Sequence, residues 1–313
     1  MSEKLKELEM ELNKKVNKIR GVILPFVNLF FIPLSFLSLY YLDSLKVVES
    51  IILIFVILAI NLIIINKITI KKERKISEVV YSDILPDIFS KYFKTFKVKQ
   101  NEGLSIAKIK KSDLLSVSNS SIFDSEDYIK FNLNSLECEM SDVRNSVNSS
   151  EYGGNTVDCG VLVKIKTTKN KFKFVIRDVG KFDYEKEMFM KEKIDLYVTD
   201  NEEFDKKYSC YTNNPKLMKG FLNKERVSYL MNMYKKNRIE ISNNEEELFV
   251  FINNLTLDFD NKYDENYNLD VEKIKESSNT SLTTLIDVIN DLNMWNTPTK
   301  SNKLDYGRSF NLN

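Results

Sequence analysis

The sequence predicts an α+β protein: an N-terminal two-helix transmembrane hairpin followed by a cytoplasmic domain with a mostly antiparallel sheet and packed helices. Three observations predict it. Two charge-poor apolar runs of membrane-spanning length lie close together near the N-terminus. Further along, several short stretches alternate apolar and polar residues, the period of half-buried strands. Between and after those stretches apolar residues recur at helical spacing, and strands in runs with helices set among them indicate an α+β arrangement.

The first apolar run, 21–42, reads GVILPFVNLFFIPLSFLSLYYL and has no charged residue; the second, 47–66, carries only Glu49. About 20 helical residues cross a bilayer core of roughly 30 Å, and backbone polar groups in lipid must bond within their own segment. Each run therefore predicts one span. A cleaved signal peptide has an apolar core of only about 7–15 residues that ends at small residues. Here the run is longer, ends on Tyr40 and Tyr41, and is followed at once by the second. Pro25 falls in the first turn of its span, where a missing N–H costs little, and Pro33 predicts an internal kink. Asn28 and Asn61, one per span, predict a polar contact between the two helices. The spans hold no charge pair of the kind that lines a transport path.

Lys14, Lys15, Lys18 and Arg20 precede the first span, and Lys67, Lys71, Lys72, Arg74 and Lys75 follow the second; the turn between carries Lys46 alone. Positive flanks stay inside, so the expectation is a two-span cell-membrane protein with both termini cytoplasmic. Residues 1–20 predict an amphipathic helix, with Leu5, Leu8, Leu12, Val16 and Ile19 on one side. Such a helix serves as a seam for a homo-oligomer, as a docking face for the cytoplasmic domain, or as an extension of the first span lying in the headgroup region.

The domain at 71–295 opens with a helical pattern from Ile76 to Phe96, kinked or restarted at Pro86. Strands follow at 128–133, 136–143, 159–166, 171–177, 195–198 and 208–211, with the Ser-, Asn- and Gly-rich stretch 145–158 as a long hairpin loop. In KFKFVIR, Phe172, Phe174 and Ile176 point to the core and Lys171, Lys173 and Arg177 away from it. Pro215 opens a helical region to about 236, with Asn223 capping a second helix inside it. A hairpin at 238–252 and a helix at 280–295 complete the domain, and the polar tail 296–313 reads as disordered.

Composition narrows the chemistry. Lys and Arg number 46 against 45 Asp and Glu, so no basic field points to nucleic acid. The chain has no histidine, which removes the commonest general base, the Ser-His and Cys-His couples and the commonest zinc ligand. Cys138, Cys159 and Cys210 form no C-x-x-C pair and read as free thiols in a reducing compartment. No glycine-rich phosphate loop is present among the eight glycines, and no cofactor site is read. Glu126, Asp127, Asp142 and Asp178 lie near strand ends, where they form either a carboxylate pair or divalent-cation site, or solvated strand termini. The lysine-rich stretches 71–75 and 108–111 are suited to anionic lipid headgroups.

The succession EDYI (126–129), MSDV (140–143), GVLVKIKTTKNKFKFVI (160–176), YSCYTNNPKLMKGFLNKERVSYLM (208–231) and VINDLNMW (288–295) resembles a bacterial membrane-protein group, the domain-of-unknown-function family thirty-one thirty-seven. A shorter polar segment ahead of Gly160 and the extra polar tail depart from that pattern. The resemblance implies a LemA-type membrane protein as a possible partner and implies no activity. Two function classes stand: a membrane-anchored interaction or scaffold domain, or a membrane-bound enzyme that uses carboxylate, Lys or thiol chemistry without histidine.

Overall fold

A computed structural model describes residues 77–100, 102–115, 121–134, 136–149, 154–166, 172–179, 194–257 and 271–295, with scattered positions up to Arg74. Among those scattered positions Pro25, Pro33, Phe55, Val56, Ala59 and Ile63 are helical. The runs 21–42 and 47–66 as wholes, Asn28 and Asn61 within them, the segment 1–20 and the tail 296–313 lie outside the described residues. Among the described residues no helix is long and apolar enough to cross a membrane.

The chain divides into two compact units, 1–89 with 258–278 and 90–257 with 279–313. In the first, a π-helical turn at Val80–Ile84 leads into helix α1, Leu85–Ser90. Pro86 explains the widened turn. It has no N–H to offer the carbonyl four residues back, and its ring crowds that carbonyl, so the helix relaxes to i→i+5 bonding. The Leu85 N–H accordingly donates to the Val80 carbonyl. Val80, Leu85, Ile88 and Phe89 are buried on this helix.

The second unit is built on one nine-stranded sheet in the order β1-β2-β3-β4-β9-β8-β5-β7-β6, with every pairing antiparallel. Its strands are β1 (Phe96–Lys99), β2 (Ser121–Leu133), β3 (Leu136–Ser149), β4 (Gly154–Lys166), β5 (Lys173–Asp178), β6 (Asp195–Tyr197), β7 (Tyr208–Thr212), β8 (Ile239–Asn244) and β9 (Glu247–Asn253). The helices are α2 (Ile106–Lys111), α3 (Glu202–Asp205), α4 (Pro215–Phe221), α5 (Lys224–Tyr234) and α6 (Val271–Trp295), of which 279–295 belongs to this unit. The α+β class and the antiparallel sheet agree with the sequence.

Both faces of the sheet are covered. On the first face Val143, Leu162, Val175, Tyr211, Phe249 and Phe251 pack beneath Leu104, Ile109, Leu114 and Leu115 of the segment around α2. On the second face Phe221 of α4 lies against Phe174 with ring centroids 4.5 Å apart, and Tyr208 stacks on Phe204 of α3 and meets Tyr234 of α5 edge-on. Asn134, after β2, donates to Asn290 of α6 at 2.8 Å. Asparagines cap the helices: Asn201, Asn214 and Asn223 each accept an N–H of the first turn, as expected for Asn223.

Three expectations are corrected. Phe96 belongs to β1 and is not part of the preceding helix. The stretch 145–158 is not one long loop, because β3 runs on to Ser149 and β4 starts at Gly154, paired as far as Ser149 with Gly154. Ser, Asn and Gly read as turn formers, yet here the backbone ladder carries the pairing. Finally, Arg177 does not point to solvent. Because a second layer covers its face, it is 1% exposed.

Candidate functional site

Strand β2 starts at Ser121, seven residues ahead of the alternation visible in the sequence, because a bulge interrupts the ladder between Glu126 and Ile129. Asp127 occupies that bulge with φ 56°, a left-handed conformation that Asp tolerates better than most residues. One extra residue flips the inside–outside pattern, so a period-2 reading fails on its far side.

The bulge decides where the four predicted acidic residues stand. Glu126 and Asp142 are direct cross-strand partners on β2 and β3. Asp142 accepts the Leu257 N–H with both carboxylate oxygens at 2.9 Å, which ties the chain leaving β9 to the middle of β3. Asp178 is elsewhere. It sits on β5, four strand steps from β3, about 19 Å at the usual strand spacing, and forms an ion pair with Arg238. The structure therefore brings Glu126, Asp127 and Asp142 into one region and leaves Asp178 out of it. Among the described residues no group of three or more acidic or thiol side chains could hold a metal ion.

Two charged clusters were not read from the sequence. The first surrounds Arg177. Its guanidinium donates to the Asp113 carbonyl at 3.4 Å, and Arg238, just ahead of β8, bridges Asp178 and Glu240, the latter at 3.0 Å. Burial lowers the Arg177 pKa despite the nearby Glu240 and Asp158 carboxylates. For Arg238 burial also opposes the charge, but Glu240 and Asp178 outweigh it and raise the value. Glu240 is fully buried, and an unpartnered carboxylate there would be costly. Only tertiary placement reveals this knot, since Arg177 and Glu240 are unremarkable alternating polar residues in their strands.

The second cluster spans the first sheet face. Lys164 on β4 bridges Glu247 on β9 at 2.9 Å and Glu139 on β3 at 3.5 Å. From above, α2 adds Lys108 to Glu139 and Lys111 to Glu247, the latter at 2.7 Å. Burial would raise the Glu139 and Glu247 carboxyls, but the lysine hydrogen bonds and charges prevail and hold both below the usual carboxylate range. The cluster clamps α2 onto the sheet. The run 108–111, read as a lipid-facing charge stretch, thus spends two of its three lysines on the fold.

The thiols differ among themselves. Cys138 and Cys210 are buried in β3 and β7. Burial pushes Cys138 up to about 12 and Cys210 higher still, far from the thiolate form a nucleophile needs. Cys159 is half-buried and faces Arg144 across the β3–β4 ladder.

With this geometry in view, comparison with protein-family models gives no match. Comparison with curated proteins likewise gives no similar sequence. What the geometry presents is one sheet covered on both faces, whose ionisable groups hold loops and helices to strands.

Proposed function

We propose that this chain is a membrane-tethered interaction or scaffold module, held in the cell membrane by the two apolar runs with both termini cytoplasmic, whose α+β domain binds another membrane-associated protein. A LemA-type protein is the partner class suggested by the resemblance of its motifs. One observation carries the reading: among the described residues, several carboxylates and two of the three thiols open to a histidine-free enzyme are engaged in structure. Asp142 caps the Leu257 N–H, Asp178 pairs with Arg238, and Glu139 and Glu247 clamp α2. Cys138 and Cys210 are packed in the sheet with their thiols strongly disfavoured as thiolates.

The test is genetic and physical together. A variant carrying Cys138→Val, Cys159→Ala, Cys210→Val and Glu126→Gln should fold and keep the cellular role of the wild type. A folded variant without that role would move the thiols or Glu126 into a reaction. Alkaline phosphatase fused after Asn313 should be inactive, and an active fusion would overturn the topology.

A further inference from the structure

We infer that the corner where helices α3 and α5 end, carrying Lys206, Lys207, Lys235 and Lys236, receives an acidic segment of a protein partner. The inference rests on the interaction-module reading and deepens it by naming the partner's chemistry. Aromatic packing supplies the first observation, because it brings the two helix ends together. Tyr208 stacks on Phe204 of α3 with ring centroids 4.9 Å apart and meets Tyr234 of α5 edge-on at 5.3 Å. The Lys207 ammonium lies over the Tyr234 ring, 5.0 Å from its centroid. Lys206 and Lys207 follow the last residue of α3, and Lys235 and Lys236 follow Tyr234 at the end of α5, so both lysine pairs flank that contact. Lys206, Lys235 and Lys236 are exposed, and Lys207 is half-buried.

The second observation is the balance of charge. Among the described residues none of these four lysines forms an ion pair. Carboxylates of the adjoining segments are turned to other partners. Asp205 accepts the Thr199 hydroxyl at 2.8 Å and the Thr199 N–H, while Arg238 takes Asp178 and Glu240. Glu202 and Glu203 stand in the first turn of α3, at the end where the helix dipole favours acids. A helix C-terminus carries about half a negative charge, which one lysine already offsets. Each of these two ends has two lysines, and the surplus is available to an acidic ligand.

The third observation concerns preorganisation and class. The cation–π contact and the tyrosine stack fix the helix ends before any partner arrives, which lowers the entropy lost on binding. Tyr234 is engaged by Lys207 and Tyr208, so it is not the open stacking platform that single-stranded nucleic acid uses. Lysines are point charges without the bidentate fork that selects one small anion. Spread ammonium groups on a rigid base therefore fit a run of Asp and Glu side chains, with complementarity giving specificity and on-rate.

Fluorescence anisotropy of a labelled oligoglutamate peptide, with the full chain held in phosphatidylcholine nanodiscs, tests the corner. Lys206→Gln with Lys235→Gln and Lys236→Gln should weaken binding roughly tenfold, given a few tenths to 1 kcal/mol for each exposed pair. These lysines are exposed and make no ion pair, so the thermal unfolding midpoint should hold. The matching triple arginine variant should keep the binding, and high salt should abolish it. Lys216→Gln with Lys224→Gln, exposed lysines of α4 and α5 away from the corner, should leave it unchanged. No loss in the glutamine triple, or an equal loss in the Lys216 and Lys224 variant, would overturn the inference. Tighter binding of a DNA duplex or of phosphatidylglycerol vesicles, lost in the same triple, would also overturn it and assign the corner to that ligand. Crosslinking in native membranes separates the two readings. A membrane protein captured equally by wild type and glutamine triple sinks the corner alone. Oligoglutamate binding at the corner without any captured protein sinks the interaction-module reading and, with it, the protein partner named here.

Discussion

Asp142 grips Leu257: both carboxylate oxygens accept the same backbone N–H at 2.9 Å, although the residues are 115 positions apart. Leu257 is buried, so without Asp142 its N–H would lose a charged acceptor in a place with little water. Asp142→Ala should cost about 2 kcal/mol in urea unfolding, within the range for hydrogen bonds to charged groups. Asp142→Asn, which keeps one carbonyl acceptor, should cost less. Equal losses in the two variants would mean that the bond contributes little.

The Lys164 cluster predicts acid sensitivity with a definite sign. Glu139 and Glu247 have folded-state values below their unfolded ones. Their contribution is full above the ordinary glutamate range of about pH 4 and is lost as pH falls through the folded values. Glu139→Gln with Glu247→Gln should flatten the stability profile in that acid window and lower stability at neutral pH. An unchanged acid slope would remove the cluster from the list of causes.

Thiol labelling should discriminate among the cysteines. Under native conditions a maleimide should modify Cys159 first, while Cys138 and Cys210 wait for unfolding because both are buried and hard to ionise. Cys138→Ala or Cys210→Ala should cost about 1–2 kcal/mol each. Rapid labelling of Cys138 at neutral pH in folded protein would contradict its packing in β3.

Two glycines should respond to alanine in opposite directions. At Gly160 a Cβ would lie 2.3 Å from the Ile252 carbonyl oxygen and 2.8 Å from the Phe251 ring, so β4 and β9 would have to separate. Gly160→Ala should destabilise by about 1–3 kcal/mol, as overpacking does. At Gly220, in α4, nothing lies within 4 Å of the added atom. Gly220→Ala should stabilise by about 0.5–1 kcal/mol through helix propensity. Thermal unfolding of the two variants checks both signs.

Much of the domain was legible because local chemistry and final structure coincide. The hairpin near 238–252, the alternating stretch ahead of Lys166, the Pro215 helix start and the Asn223 cap each depend on residues close in sequence. Where they diverge, the reason is physical. At Asp127 one bulged residue reverses the alternation that sequence periodicity relies on, hiding the first half of β2. In the arm formed by β3 and β4, Ser and Asn look like loop because composition reports side chains, whereas the backbone ladder makes the strands.

For the candidate site the division is sharper. The sequence by itself determined which chemistry is available: no histidine, three scattered thiols, and carboxylates without a binding motif. Spacing along a strand carries no information about which strands are neighbours. Only the order β3-β4-β9-β8-β5 separates Asp178 from Asp142, and only the layer over the first face turns Arg177 inward to the buried carboxylate of Glu240. Lys97 and Lys130 face each other for the same reason, because residues 33 positions apart become partners through strand register, which side-chain periodicity within either strand does not encode.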